Sequence, residues 1–163
     1  MIPFLDAYDR QRRTIESRQN ETGDDTLYLL EHPHVITKGR NATQSALIAS
    51  PELLATKNVT LVETDRGGDI TYHGPGQLVG YPILQLEEGR RDIRRYVHDV
   101  EELLLRTLSE FCIDARRDPI HRGVWVEDRK IASVGIRISK WVTSHGFALN
   151  VDLDECPFVD QFL

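Results

Sequence analysis

Between Arg66 and Pro82 the chain reads Arg-Gly-Gly-Asp-Ile-Thr-Tyr-His-Gly-Pro-Gly-Gln-Leu-Val-Gly-Tyr-Pro, with five glycines and two prolines in seventeen residues. That density of turn-formers excludes a helix and argues against a plain strand. A backbone of this kind bends sharply and comes close to whatever it holds, because glycine carries no Cβ. Arg66, Asp69, Tyr72 and His73 stand among the glycines and supply the polar handles of a binding site. A Gly/Pro-rich run between hydrophobic stretches also describes an ordinary surface loop. Two details favour a site. The run leads straight into the apolar Leu78–Leu84, and its charged residues sit between glycines instead of forming a solvated cluster. It has no Gly-Lys-Ser/Thr ending and no Gly-x-Gly-x-x-Gly opening a helix, so a nucleotide site is not indicated.

A chain of 163 residues suits one domain, and 40% hydrophobic with 28% charged residues is ordinary globular composition. The net charge of −6 argues against a general nucleic-acid or membrane-surface binder. Arg90, Arg91, Arg94 and Arg95 form a local basic group, either the solvated start of a helix or a docking surface for an acidic partner. Cys112 and Cys156 make no disulfide framework and fit a reducing cytoplasm, with Cys112 expected in the core. No signal peptide, transit peptide or membrane span is evident. The histidines show no zinc-like spacing, and His32-Pro33-His34 reads as a turn, so no metal is expected.

Hydrophobic periodicity predicts a first helix after Pro3, strands over 26–30, 35–37 and 59–64, and a short helix over 51–56. The clearest helix starts after Asp92, a suitable N-cap, with Ile93, Tyr96, Val97, Val100, Leu104, Leu108 and Phe111 on one face. Residues 124–126, 131–138 and 142–151 read as consecutive strands. Mixed elements without strict βαβ alternation indicate an α+β single domain over 1–163, with a mixed or largely antiparallel sheet flanked by helices. Side chains alternate faces along a strand, so Ser133 and Gly135 share one face, as do Ser144, Gly146, Ala148 and Asn150. Aligned as neighbours, these small residues line a narrow slot for an extended alkyl chain, or else allow tight sheet packing.

The glycine-rich run resembles the signature of the lipoyl(octanoyl) transferases, which move an octanoyl group from acyl carrier protein to a lysine of lipoyl domains. Four more segments carry the resemblance in the right order. They are Leu30–Thr37 with Gly39-Arg40, Gly123-Val124-Trp125-Val126, Lys130–Arg137 and Ser144–Val151. The resemblance implies the biotin/lipoate protein ligase catalytic-domain fold, with no metal and no nucleotide cofactor. Its partners would be octanoyl-acyl carrier protein and the lipoyl domains of 2-oxoacid dehydrogenases and glycine-cleavage H protein. ATP-dependent ligases of the same fold carry Gly-Gly-Gly or Gly-Arg-Gly patterns, whereas Arg66–Asp69 followed by His73–Gln77 fits the transferase.

By the same resemblance the acyl substrate is held by Arg66, Gly67, Gly68, Asp69, Ile70, Thr71, Tyr72 and His73, with Ser133, Val134, Gly135, Gly146, Phe147 and Ala148. Lys130 matches the catalytic lysine that activates a cysteine nucleophile; by residue type alone it is the charged end of a hairpin. An ammonium beside a thiol favours thiolate. The family's cysteine sits in a Pro-Cys-Gly motif just after the segment that is here Val151–Phe158, and the sequence stops at Leu163, about where that motif would begin. Cys156 lies too early to match it. The expectation is therefore a transferase domain incomplete at its C-terminus; a non-catalytic module that binds acyl groups or carrier protein is the alternative. His73 and His145 are further candidates for orienting groups or moving protons.

Overall fold

The computed structural model describes residues 1–43 and 47–153. Cys156 and the segment around it lie outside these residues. Among the described residues three α-helices, α1 (Phe4–Gln19), α2 (Pro51–Thr56) and α3 (Ile93–Glu110), accompany nine strands: β1 (Thr26–Leu30), β2 (Val35–Lys38), β3 (Thr60–Glu63), β4 (Ile70–His73), β5 (Gln77–Ile83), β6 (Arg116–Arg117), β7 (Val124–Val126), β8 (Arg129–Ser139) and β9 (Val142–Asn150). Six of them form a sheet in the order β1-β5-β9-β8-β7-β6, antiparallel throughout. The other three form a small sheet, β3-β2-β4, in which β2 and β3 run parallel. This is the α+β architecture the sequence predicts.

The six-stranded sheet is covered on both faces, as the burial of Val142–Leu149 along β9 requires. On one face α3 presents Tyr96, Val100, Leu104 and Leu108 to Val124, Ala132, Phe147 and Leu149. Asp92 caps the helix by accepting from the backbone N–H groups of Arg94 and Arg95. The stripe is narrower than the periodicity implies. Ile93 is exposed, and Phe111 leaves the helical path as the C-cap and is exposed too. Cys112 follows in the left-handed region at φ 58° and faces solvent instead of the core. The four arginines before and at the start of α3 are exposed, and Arg91 lies 5.7 Å from the Trp141 ring centroid at the β8–β9 turn.

On the other face α1 lays Ala7 on Val79, Tyr81, Ile83 and Ala148. The glycine-rich run is less irregular than its composition implies. Residues 70–73 form β4, which pairs with β2 through His73↔Val35 and Lys38↔Ile70. His32 is fully buried, while Pro33 is exposed at the bend that leads into β2, as the reading of His32-Pro33-His34 as a turn expects.

One break in the large sheet matters for the site. Pro82 lies opposite His145 by the β5–β9 register and has no N–H to give the ladder. Its carbonyl accepts from the Thr143 hydroxyl (2.7 Å), while the His145 N–H donates to Gln11 Oε1 of α1 (3.0 Å). His145 thereby adopts φ 56° inside a strand. Gly146 follows it where a Cβ would press on Pro82 Cδ at 2.6 Å, so only glycine fits.

Truncating the central α3 contact, Leu104→Ala, is expected to lower unfolding free energy by about 2–5 kcal/mol, whereas Asp92→Ala costs about 0.5–2 kcal/mol. Urea denaturation of each variant measures both.

Candidate functional site

The two sheets and the first turn of α1 enclose a narrow cavity of about 30 Å³. Its floor is the β8–β9 ladder, where Ser133 pairs with Ala148 and Gly135 with Gly146. The small residues are thus aligned as the alternation predicts. Phe147 also lines it, while Phe4, Tyr81 and His145 come from α1, β5 and β9. Thr37, Arg66, Thr71 and His73 close it from the small sheet and the loop before β4.

Arg66 and the glycine after it join the two sheets. The guanidinium donates to the Thr37 carbonyl (2.7 Å) and hydroxyl (2.9 and 3.2 Å) and to the Gly67 carbonyl (3.0 Å). The Gly67 N–H then donates to the Ile136 carbonyl of β8 (2.8 Å). All these acceptors are neutral. Burial lowers the Arg66 pKa to about 10, so the cation persists at neutral pH beside the cavity.

A chain of amides fixes the state of His73. The Lys130 carbonyl only accepts, so Asn150 turns its Nδ2 toward it (3.4 Å) and its Oδ1 toward Gln77 Nε2 (2.9 Å). Gln77 Oε1 then faces His73 Nδ1 (2.7 Å), which must carry the proton. His73 Nε2 is left as an acceptor. Burial drives the His73 pKa down to about 3, so the ring is neutral. His32 is set in the same way. Its Nδ1 donates to the Ile2 carbonyl (2.7 Å), its Nε2 accepts from the Tyr81 hydroxyl (2.8 Å), and burial lowers its pKa.

At the other end of the cavity His145 Nε2 meets Asp65 Oδ1 at 2.8 Å, and Arg137 Nη1 holds Asp65 Oδ2. The His145 hydrogen bond is the main cause that holds the Asp65 carboxyl at about 2. Tyr8 stacks on His145 with ring centroids 5.5 Å apart, and burial, with Asp65 second, raises its pKa.

Of the residues predicted for the acyl site, Arg66, Thr71, His73, Ser133, Gly135, Gly146, Phe147 and Ala148 line one cavity. Gly67 bridges to β8 instead, and Gly68 (φ 88°) and Asp69 turn the exposed loop. Ile70 and Tyr72 pack in the small sheet's core, and Val134 packs on the α3 side. Lys130 stands three residues before Ser133, about 10 Å along the strand. It is cross-strand from Trp125 after a one-residue register shift, with Nζ 5.1 Å from the indole centroid. Burial of its stem lowers its pKa. Sequence reasoning missed Phe4, Thr37, Tyr81 and Asp65. Tyr81 alone carried a signal, since it shares the Val79–Ile83 face of β5. Among the described residues no group of three or more His, Cys, Asp or Glu side chains is placed to hold a metal ion, and no helix is long and apolar enough to cross a membrane.

The neutral histidines make stability pH-dependent. Folded His73 stays unprotonated down to about 3, whereas the unfolded ring takes a proton below 6.5. Stability from this source is full above pH 6.5 and is lost as pH falls from there toward 3, with His32 acting in the same direction. Asp65, held at about 2 against 3.8, adds a loss only below pH 3.8. Urea midpoints recorded across pH 7 to 4 should therefore drop, and His73→Gln should flatten the fall.

The lipoyl protein ligase A/B catalytic domain family matches residues 3–162. A Solibacter usitatus protein named octanoyltransferase is 50% identical over 153 residues, covering 94% of this chain and 70% of that protein. A Myxococcus xanthus protein of the same name is also 50% identical, over 143 residues; the match covers 84% of this chain and 40% of the longer relative. The fold is that of a bi-partite lipoate protein ligase from Thermoplasma acidophilum, with a TM-score of 0.69 at 16% identity over 90% of this chain and 58% of that one. The chain therefore belongs to the lipoyl protein ligase A/B catalytic domain family.

Proposed function

We propose that the chain is an octanoyltransferase domain of lipoate biosynthesis. It would pass an octanoyl group from acyl carrier protein to a lysine of lipoyl domains, those of 2-oxoacid dehydrogenases and of glycine-cleavage H protein. The observation that carries the reading is the narrow slot of small residues between β8 and β9, roofed by Arg66, in a chain half identical to proteins named octanoyltransferase. A flat small-residue floor accepts an extended alkyl chain, and burying apolar carbons there contributes about 0.8 kcal/mol per methylene.

The transfer has two balanced steps. A thiolate attacks the carrier-bound thioester carbonyl, the carrier's C–S bond breaks, and the carrier leaves as a thiol after taking a proton. The lipoyl-domain amine then attacks the new thioester, an amide forms, and the amine's proton restores the thiol. Lys130 is the group assigned to stabilise the thiolate as an ammonium and to accept the amine's proton, and its lowered pKa suits the second task. The thiol itself is assigned to no residue of the sequence. Cys112 is exposed beyond the end of α3, and Cys156 lies outside the described residues. Two features of the cradle support a reacting end at His73–Gly76. The Gly76 carbonyl accepts from the N–H groups of Val151 (3.0 Å) and Asp152 (2.9 Å), which steers the chain leaving β9 past this turn. The Gly76 N–H in turn is held by Glu31 Oε2 at 3.2 Å.

The neutral tautomer of His73 fits this reading. An Nε2 lone pair accepts a hydrogen bond from an incoming amine or from a hydroxyl or amide donor of the carrier arm. The alternative is a module that binds acyl groups without transferring them.

Incubation with octanoyl-acyl carrier protein and a lipoyl domain, followed by intact-mass analysis of all three proteins, tests the proposal. An octanoylated lipoyl domain is expected. Octanoate binding without any transfer would favour the binding module instead. Where transfer occurs, Lys130→Ala should lower its rate by about 100-fold or more, the usual scale for a lost acid–base group; an unchanged rate would remove Lys130 from the mechanism.

A further inference from the structure

The acyl cavity does not end at the surface; it ends at one side chain. His145 lines the far end of the slot and also lines a second, solvent-open cavity of about 420 Å³ on its other side. The order along β8 gives the direction. Ser133 and Gly135 lie in the slot, Ile136 pairs with His145, and Arg137 and Ser139 lie in the second cavity. Ser133 to Arg137 is about 14 Å of strand, with the imidazole standing across it.

Everything around that ring holds it in place. Its backbone is set at φ 56° by the Pro82 break, with the N–H taken by Gln11 Oε1. Asp65 fixes Nε2 from the second cavity, Arg137 fixes Asp65, and Tyr8 stacks on the ring. The side chain is 3% exposed despite lying between two cavities. The two spaces differ in character. Gly135, Gly146, Ala148 and Phe147 face the acyl slot, whereas Arg12, Glu16, Gln19, Arg137 and Ser144 face the second cavity.

We infer that the His145–Asp65 pair is the stop that sets the length of acyl chain the slot accepts. The inference rests on the acyl reading above and adds which residues measure the chain. A chain that ends before His145 leaves the ion-paired wall intact. A longer one must displace an imidazole bound to a carboxylate, breaking a charge-assisted hydrogen bond and pushing methyl groups into a charged, solvated space. The penalty therefore arrives as a step in chain length instead of a gradual decline. His145 acts here as a specificity-determining residue, and Asp65 as the positioning residue behind it.

Binding of saturated fatty acids from octanoate to tetradecanoate, measured by calorimetry on the full chain, tests this without requiring turnover. The unmodified protein should bind octanoate and reject tetradecanoate. His145→Gly, which keeps the positive φ without strain and opens the wall, should bind tetradecanoate at least about tenfold tighter than the unmodified protein. Asp65→Asn keeps the shape and removes the anchoring charge, so it should shift the cut-off the same way by less. It serves as the second reading should the glycine variant fail to fold. An unchanged cut-off in the folded variants, or tetradecanoate binding equal to octanoate in the unmodified protein, would overturn the stop while leaving the acyl reading standing. Binding of no fatty acid at all by the unmodified protein would overturn both.

Discussion

The site depends first on one buried guanidinium. The small sheet has three strands and the large sheet six, and no strand pairs across them. Arg66 reaches back to Thr37 at the centre of the small sheet, and the next residue's N–H bonds to Ile136 of the large one. A buried cation costs several kcal/mol to desolvate, and here its hydrogen-bond acceptors are all neutral oxygens. That cost is offset in part because all three nitrogens donate, in four hydrogen bonds. Lysine could not replace it: one ammonium cannot span the Thr37 carbonyl, the Thr37 hydroxyl and the Gly67 carbonyl in a plane. The roof, the floor register and the width of the slot therefore move together.

From that roof the two ends of the cavity diverge chemically. At the His73 end the groups are neutral: a deprotonated imidazole nitrogen, two amides and a backbone carbonyl, each donor matched to one acceptor. At the His145 end the groups are ionic, with Asp65 shared between an imidazole and Arg137. Low dielectric makes an unmatched member of either set costly, so both ends are rigid. The neutral end presents the His73 lone pair beside the Arg66 cation, while the ionic end repels hydrocarbon. On the acyl reading proposed above, one orientation of an amphipathic chain satisfies both.

Much of this was legible in the residues. The pairing of Ser133 with Ala148 and Gly135 with Gly146 follows from a period of two and a short turn, which sequence carries directly. The cap at Asp92 and the Tyr96–Leu108 stripe are local for the same reason. What could not be read is what depends on distant partners. Phe4 joins the cavity because α1 crosses β9, and nothing near Phe4 encodes that. Cys112 reads as core by composition, yet its left-handed backbone turns it outward where the helix ends. Asp65 sits beside the most informative motif in the chain and carried no signal, because its meaning lies in His145, eighty positions away.

Pro82 and His145 make the same point from the other side. A proline within a central strand ordinarily weakens a sheet, since one ladder bond is lost. Here the loss is distributed. Thr143 covers the freed carbonyl, Gln11 covers the freed N–H, and Gly146 admits the proline ring where any Cβ would collide. The histidine between Thr143 and Gly146 is left with a backbone conformation that no regular strand offers, and it uses it to join Tyr8, Asp65 and the slot instead of staying on the Phe147 face of β9. Tyr81-Pro82 and Ser144-His145-Gly146 are therefore one device written in two places. Replacing Pro82 with a residue that restores the ladder bond would compete with Gln11 for the His145 backbone, and the wall at the end of the slot would move with it.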